Sequence, residues 1–252
     1  MTVAIPKVNG PIALKNVAAF MTLATQLIDR SPHLPGIGVC YGPSGYGKTY
    51  ASIFCQNKTR AVRVEVGESW TRATFLRMVL IELGVEPRGT ISGMAERAKA
   101  ALGDNPRRPL IVDEADKIVD KGYIELVREL QEHSGAPVLL IGEEKLPTKL
   151  ERIERVANRV LDWMPAQPCD IEDAHHLANA FCPNLTISED LLDEIRRQSQ
   201  GRARRIVVNL AQVQEIARNR GITAVDRSAW GRAEFYTSKA PRARRDIELA
   251  VA

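Results

Sequence analysis

The chain has 252 residues, 44% of them apolar and 26% charged, with a formal net charge of +4. That is room for one α/β core and a smaller appended unit, in a composition ordinary for a globular protein. No apolar run approaches the ~20 residues that span a bilayer, and MTVAIPKVNG lacks the charged-then-apolar pattern of a signal peptide, so no membrane association and a cytoplasmic location are expected.

Residues 11–30 place Ile12, Leu14, Val17, Ala18, Met21, Ala24 and Ile28 near helical spacing, and Ser31-Pro32 and Leu34-Pro35 end the run. Gly36–Tyr41 is short and apolar and runs into a glycine-rich turn, as a buried strand does; Thr49–Gln56 follows as a helix. Ala61–Val66 alternates in the manner of a second strand. Ser69 or Thr71 caps a helix that Gly84 stops, and Ser92 caps another through Leu102. Leu110–Val112 is a strand running into Asp113, Gly122–His133 a helix and Pro137–Ile141 a fourth strand. Leu150–Arg159 reads as a helix and Val160–Met164 as a fifth strand. Strands alternating with helices imply a mostly parallel sheet covered on both faces.

Pro165-Ala-Gln-Pro168 breaks the alternation, and only helices follow: 171–181, 188–198, 204–219 and 227–233. The expected organisation is an α/β nucleotide-binding domain over 1–166, a helical lid over 167–236 and a basic tail over 237–252. Gly201–Arg245 holds 11 Arg or Lys against 3 Asp or Glu, which leaves the rest of the chain at −4. Such a segment suits a polyanionic partner, or is a solvated helix surface with a tail. Cys40, Cys55, Cys169 and Cys182 lack the close spacing of a zinc site and read as buried thiols.

The chemistry is concentrated in two places. Gly42-Pro43-Ser44-Gly45-Tyr46-Gly47-Lys48-Thr49 fits G-x-x-x-x-G-K-[ST] between a strand and a helix. Its glycines let backbone N–H groups face phosphates beside the positive end of the helix. Lys48 would reach the β and γ phosphates of ATP, and the Thr49 hydroxyl would bind Mg2+. Downstream, Leu110-Ile-Val-Asp113-Glu114 ends a buried strand in two carboxylates. Asp113 suits the magnesium, and Glu114 suits a general base for water. The Asp-Glu pair favours hydrolysis over phosphoryl transfer to a small molecule.

The segments Leu34–Thr49, Glu68–Gly84, Leu110–Lys117 and Glu125–Glu144 resemble AAA+ ATPases of the MuB, TniB, TnsC and IstB transposition family, most of all the MuB-like proteins of Mu-type phages. The resemblance runs from about residue 11 to 222. It implies an AAA+ P-loop core with a five-stranded, mostly parallel sheet and a small all-helical lid. It also implies an ATPase that assembles as a helical filament or ring on double-stranded DNA and activates a cognate transposase, in a bacterial or phage-infected cell.

Particular residues follow from the resemblance. Gly201-Arg-Ala-Arg204 is similar to the sensor-2 motif, which would bring Arg204 to the nucleotide; the alternative is a basic cluster at a helix start. Arg152, Arg155 and Arg159 fall where the family carries its arginine finger, and Arg159 fits best, unless the three form an exposed basic face. Thr71, Arg72 and Lys121 are candidates for DNA contact or are plain surface residues. Two features depart from the family. Gly142-Glu143-Glu144 stands where a neutral polar sensor is usual, which puts sensor-1 function in question and predicts slow hydrolysis suited to a switch. Only about ten residues precede the first core helix, so the N-terminal helix-turn-helix domain of larger members is not expected. A helicase-loader or replication-initiator ATPase is the alternative function, and a small-molecule kinase or protein-binding switch fits less well.

Overall fold

The protein is described by a computed structural model over residue 12 and residues 14–239. The basic tail expected over 237–252 therefore lies outside the described residues from 240 onward.

The α/β part runs α1 (Lys15–Ile28), β1 (Ile37–Tyr41), α2 (Lys48–Thr59), β2 (Val62–Glu65), α3 (Arg72–Leu83), α4 (Ile91–Gly103) and β3 (Leu110–Asp113). It continues through α5 (Asp116–Asp120), α6 (Ile124–Ser134), β4 (Val138–Gly142), α7 (Leu146–Glu151), α8 (Glu154–Ala157) and β5 (Val160–Pro165). The five strands form one sheet in the order β2-β3-β4-β1-β5, and every pairing in it is parallel. Because each crossover needs a helix, the two faces acquire separate apolar cores. One face packs Cys40, Ile111, Leu139 and Ile141 against α1 and α2. The other packs Val39, Val62, Val64, Val112 and Leu140 against α3, α4 and α6.

Local signals account for most boundaries. Thr71 caps α3 by accepting from the Thr74 N–H, and Gly84 ends the helix in the left-handed region. Thr90, not Ser92, caps α4. The buried stripe of α1 is Val17, Phe20, Leu23, Ala24 and Leu27, so the face expected through Ala18, Met21 and Ile28 is rotated toward Phe20, Leu23 and Leu27. The helix expected over 150–159 is two short helices, α7 and α8, separated at Arg152 and Ile153.

After β5 come α9 (Ile171–Phe181), β6 (Thr186–Ile187), α10 (Glu189–Gln198), α11 (Ala203–Arg220), β7 (Ala224–Val225) and α12 (Arg227–Trp230). Asp170 and Asp173 form a reciprocal capping box that starts α9. The helices are joined by one parallel strand pair, β6 with β7, too short to show an alternation in sequence. Residues 235–238, at the expected boundary between lid and tail, are held against α11 and α12. The Asn209 side chain accepts from the Tyr236 N–H at 2.8 Å and donates to its carbonyl at 3.2 Å, and Trp230 stacks on Phe235.

Candidate nucleotide-binding site

A cavity of about 360 Å³ lies at the C-terminal ends of the strands, between the sheet and the lid helices. Its polar end is lined by Ser44, Gly45 and Gly47 from the loop after β1 and Lys48 and Thr49 at the start of α2, by Asp113 and Glu114 at the end of β3, and by Gly142 and Glu143 at the end of β4. Arg204 enters from the start of α11, and Leu14, Leu177, Phe181 and Val207 make the opposite end apolar. A charged end and an oily end facing each other suit a phosphorylated ligand with a flat ring.

The loop after β1 needs its glycines: Gly42, Gly45 and Gly47 have φ of 146°, 88° and 82°. The Lys48 ammonium donates to the carbonyls of Gly42 at 2.5 Å and Pro43 at 2.9 Å, which holds it inside the loop. Burial lowers its pKa, and Cys40, Asp113, Glu143 and Glu114 act against that by favouring the charge. Two of the three arginines at the head of α11 meet this loop. Arg202 donates to the Ser44 carbonyl at 2.5 Å and lies over the Tyr46 ring, and the Arg204 N–H donates to the Gly45 carbonyl.

Asp113 is 3% exposed, and neither of its oxygens is free of partners. One accepts the Glu114 N–H at 3.0 Å, and the other accepts from Arg63 at 2.7 Å. Glu114 has φ of 59°, a left-handed conformation uncommon for a residue with a Cβ. Its side chain, 44% exposed, sits 3.4 Å from Lys117, which also donates to the Val66 carbonyl. The donor chemistry fits a magnesium ion: one buried carboxylate and one hydroxyl line the same cavity. Among the described residues no cluster of three His, Cys, Asp or Glu could hold a metal ion.

The position after β4 explains its own departure from a polar sensor. A Cβ on Gly142 would fall 2.1 Å from the Asp116 carboxylate. Asp116 fills that space, accepts the Glu143 N–H at 2.7 Å and pairs with Lys149 at 3.3 Å.

The other predicted residues lie elsewhere. Arg159 is bonded to Glu132 on α6 at 2.5 Å and precedes β5. The parallel strands put it at the end of the sheet away from the cavity, about 16 Å at ~3.3 Å per residue. Arg152 and Arg155 are exposed and make no ion pair with a described residue. Thr71, Arg72 and Lys121 share one surface, where the loop before α3 meets the loop after α5. Arg72 donates to the Gly122 carbonyl, and Lys121 to the carbonyls of Glu68 and Trp70.

Sequence reasoning missed Arg63, Asp116, Lys117 and Asn16. For Arg63 a signal existed: in a sheet covered on both faces, a charged residue in a short strand has to find a buried partner.

Residues 30–150 match the model of a family described as "AAA domain". The solved structures similar to this chain include the Aeropyrum pernix ORC2 protein, described as ADPNP-ADP complexes, with a TM-score of 0.65 and 16% identity over 89% of this chain and 69% of that one. The Aeropyrum pernix ORC1 protein in complex with DNA is similar at 0.65 and 17% identity, over 90% and 66%. Cdc6p from Pyrobaculum aerophilum is similar at 0.62 and 16% identity, over 88% and 67%. The chain thus spans about two thirds of the length of these structures. At such identities the likeness is one of fold, and that fold is the AAA+ P-loop ATPase core. No curated protein matches the sequence.

Proposed function

We propose that this chain is an ATP-dependent, sequence-nonspecific DNA-binding ATPase that assembles on target DNA and directs a transposase. The observation that carries the nucleotide part is the single cavity shared by Lys48, Thr49, Asp113, Glu114 and Arg204. In this reading Lys48 pairs with the β and γ phosphates, Thr49 and Asp113 hold magnesium, and Arg204 senses the nucleotide from the lid. Magnesium, when bound, neutralises phosphate charge. Glu114 takes the proton of the attacking water. A finger reaching a neighbouring subunit fits Arg159, at the far end of the sheet, only in trans; Arg152 and Arg155, which have no ion pair among the described residues, fit such a reach as well.

The transposition role rests on the sequence resemblance. A second reading, a replication initiator, is favoured by the fold likeness to ORC and Cdc6 proteins, one of them described in complex with DNA. In either reading the shared surface of Thr71, Arg72 and Lys121 is the candidate contact to phosphate. No helix among the described residues is long and apolar enough to cross a membrane.

Electron microscopy of the purified protein on random-sequence duplex, with and without ATP, separates the readings. ATP-dependent filaments support the transposition reading. Discrete particles confined to a preferred duplex favour the initiator. If Lys48→Ala leaves nucleotide affinity unchanged by calorimetry, the nucleotide assignment is wrong.

A further inference from the structure

Arg63 lies on β2, one strand from the residue it serves. It is 13% exposed and makes three contacts at once. Its Nε donates to the Ser52 hydroxyl on α2 at 2.8 Å, and one terminal nitrogen reaches both Asp113 at 2.7 Å and Glu65 at 3.0 Å. The register accounts for the reach: Arg63 pairs with Ile111 and Glu65 with Asp113, so all three charged side chains emerge on the face that carries α2. A guanidinium this enclosed needs its carboxylates, and a carboxylate as buried as Asp113 needs a cation.

The cavity end of this network is the carboxylate assigned to magnesium. We propose that Arg63 is a built-in counter-cation for Asp113, a positioning residue that any divalent cation must share or displace, so that it sets how much magnesium nucleotide binding requires. The inference rests on the nucleotide-site reading of the same cavity. Its physical basis is electrostatic. Two cations drawing on one carboxylate repel each other in a poorly solvated site, and a fixed charge a few ångströms from a divalent ion changes its affinity by about tenfold or more. Ser52 and Glu65 tune the balance, since each holds part of the guanidinium away from Asp113.

Binding of N-methylanthraniloyl-ADP, followed by fluorescence first in EDTA and then through a MgCl2 titration, tests it. Relative to wild type, Arg63→Gln should lower the magnesium midpoint by about tenfold or more, and Arg63→Lys should restore it. The shift should shrink in the Asp113→Asn background, because the two cations no longer compete for that carboxylate and only their direct repulsion is left. Should Arg63→Gln not fold, Glu65→Gln on the exposed end of the network is the substitute. It leaves Arg63 to Asp113 and should raise the midpoint. An unshifted or reversed midpoint, or a shift that is undiminished with Asp113→Asn, overturns the inference while the nucleotide site stands. Wild-type protein that binds no probe at any magnesium concentration overturns both.

Discussion

Replacing Gly142 by alanine is the sharpest test of how the cavity floor is built. The new methyl group would lie 2.1 Å from an Asp116 carboxylate oxygen and 2.6 Å from Leu146 Cδ2. Neither neighbour can yield cheaply. Leu146 is fully buried, and moving Asp116 gives up its bond from the Glu143 N–H and its pairing with Lys149. Overpacking of this kind costs about 1–3 kcal/mol, and a lost charge-assisted bond about 1.5–3 kcal/mol. The two overlap, since moving the carboxylate relieves the clash, so about 2–4 kcal/mol is expected. At roughly 2–4 °C per kcal/mol for a chain of this size, Tm should fall by about 4–16 °C in calorimetry. Adding Asp116→Ala should cost less than the sum of the single changes, because the clash then has no partner. A Tm within 2 °C of wild type would show that Gly142 does not hold this place for Asp116.

Glu114→Gln keeps shape and should retain ATP binding while turnover falls roughly 10²-fold or more; normal turnover in a phosphate-release assay would remove Glu114 as the base. Mixing Lys48→Ala protein with Arg152→Ala, Arg155→Ala or Arg159→Ala protein should restore hydrolysis only for the arginine that acts in trans, and recovery with none of them would sink a trans finger. Duplex binding with ATP should weaken with salt at a log–log slope near −0.9 per phosphate contacted, and a salt-insensitive affinity would point to recognition of another kind. Burial pushes the thiols of Cys40, Cys169 and Cys182 up to about 12 from 9.0, so the folded protein should resist alkylation at pH 8 until denatured. Above pH 9 the unfolded chain binds fewer protons than the folded one, so stability should fall as pH rises toward 12; fast labelling of native protein would contradict the burial of these thiols.

The parts of this structure legible in the sequence are those where one physical signal dominates. The turn at Gly42–Lys48 demands left-handed glycines, and a short apolar run ending in Asp113 has to be a buried strand. Thr71 and Gly84 mark the ends of α3 through capping chemistry alone. The illegible parts are decided by competition between distant segments. Periodicity admitted two stripes on α1, and packing against the sheet chose the one through Phe20 and Leu23. Arg152 and Ile153 lie in a run of helix formers, yet the chain there bends to bury Leu150 and Val156 in the same core. Gly142 looks like a missing sensor in sequence. Its reason is visible only once Asp116, 26 positions earlier, is seen to fill the space of its side chain.

Asn16 shows why the cavity behaves as one unit although its walls come from opposite ends of the chain. The side chain is buried at the start of α1. It donates to the Tyr46 carbonyl at 2.9 Å and the Gln167 carbonyl at 2.7 Å, and it accepts the Gln167 N–H at 2.9 Å. One amide thus joins the loop after β1 to the segment that leaves β5 for the lid. The Lys15 N–H beside it donates to Asp173, inside the capping box of α9. On the other flank Arg202 and Arg204 bond to the carbonyls of Ser44 and Gly45. Three successive carbonyls, 44 to 46, are therefore held from both sides by elements that the lid carries or adjoins. The penalty of about 1–3 kcal/mol for an unpartnered polar group falls where it is buried, here on the Asn16 amide, so a change at Tyr46 calls for a matching adjustment at the exit from β5. A ligand that remodels residues 44–46 is expected to act on the lid through those bonds.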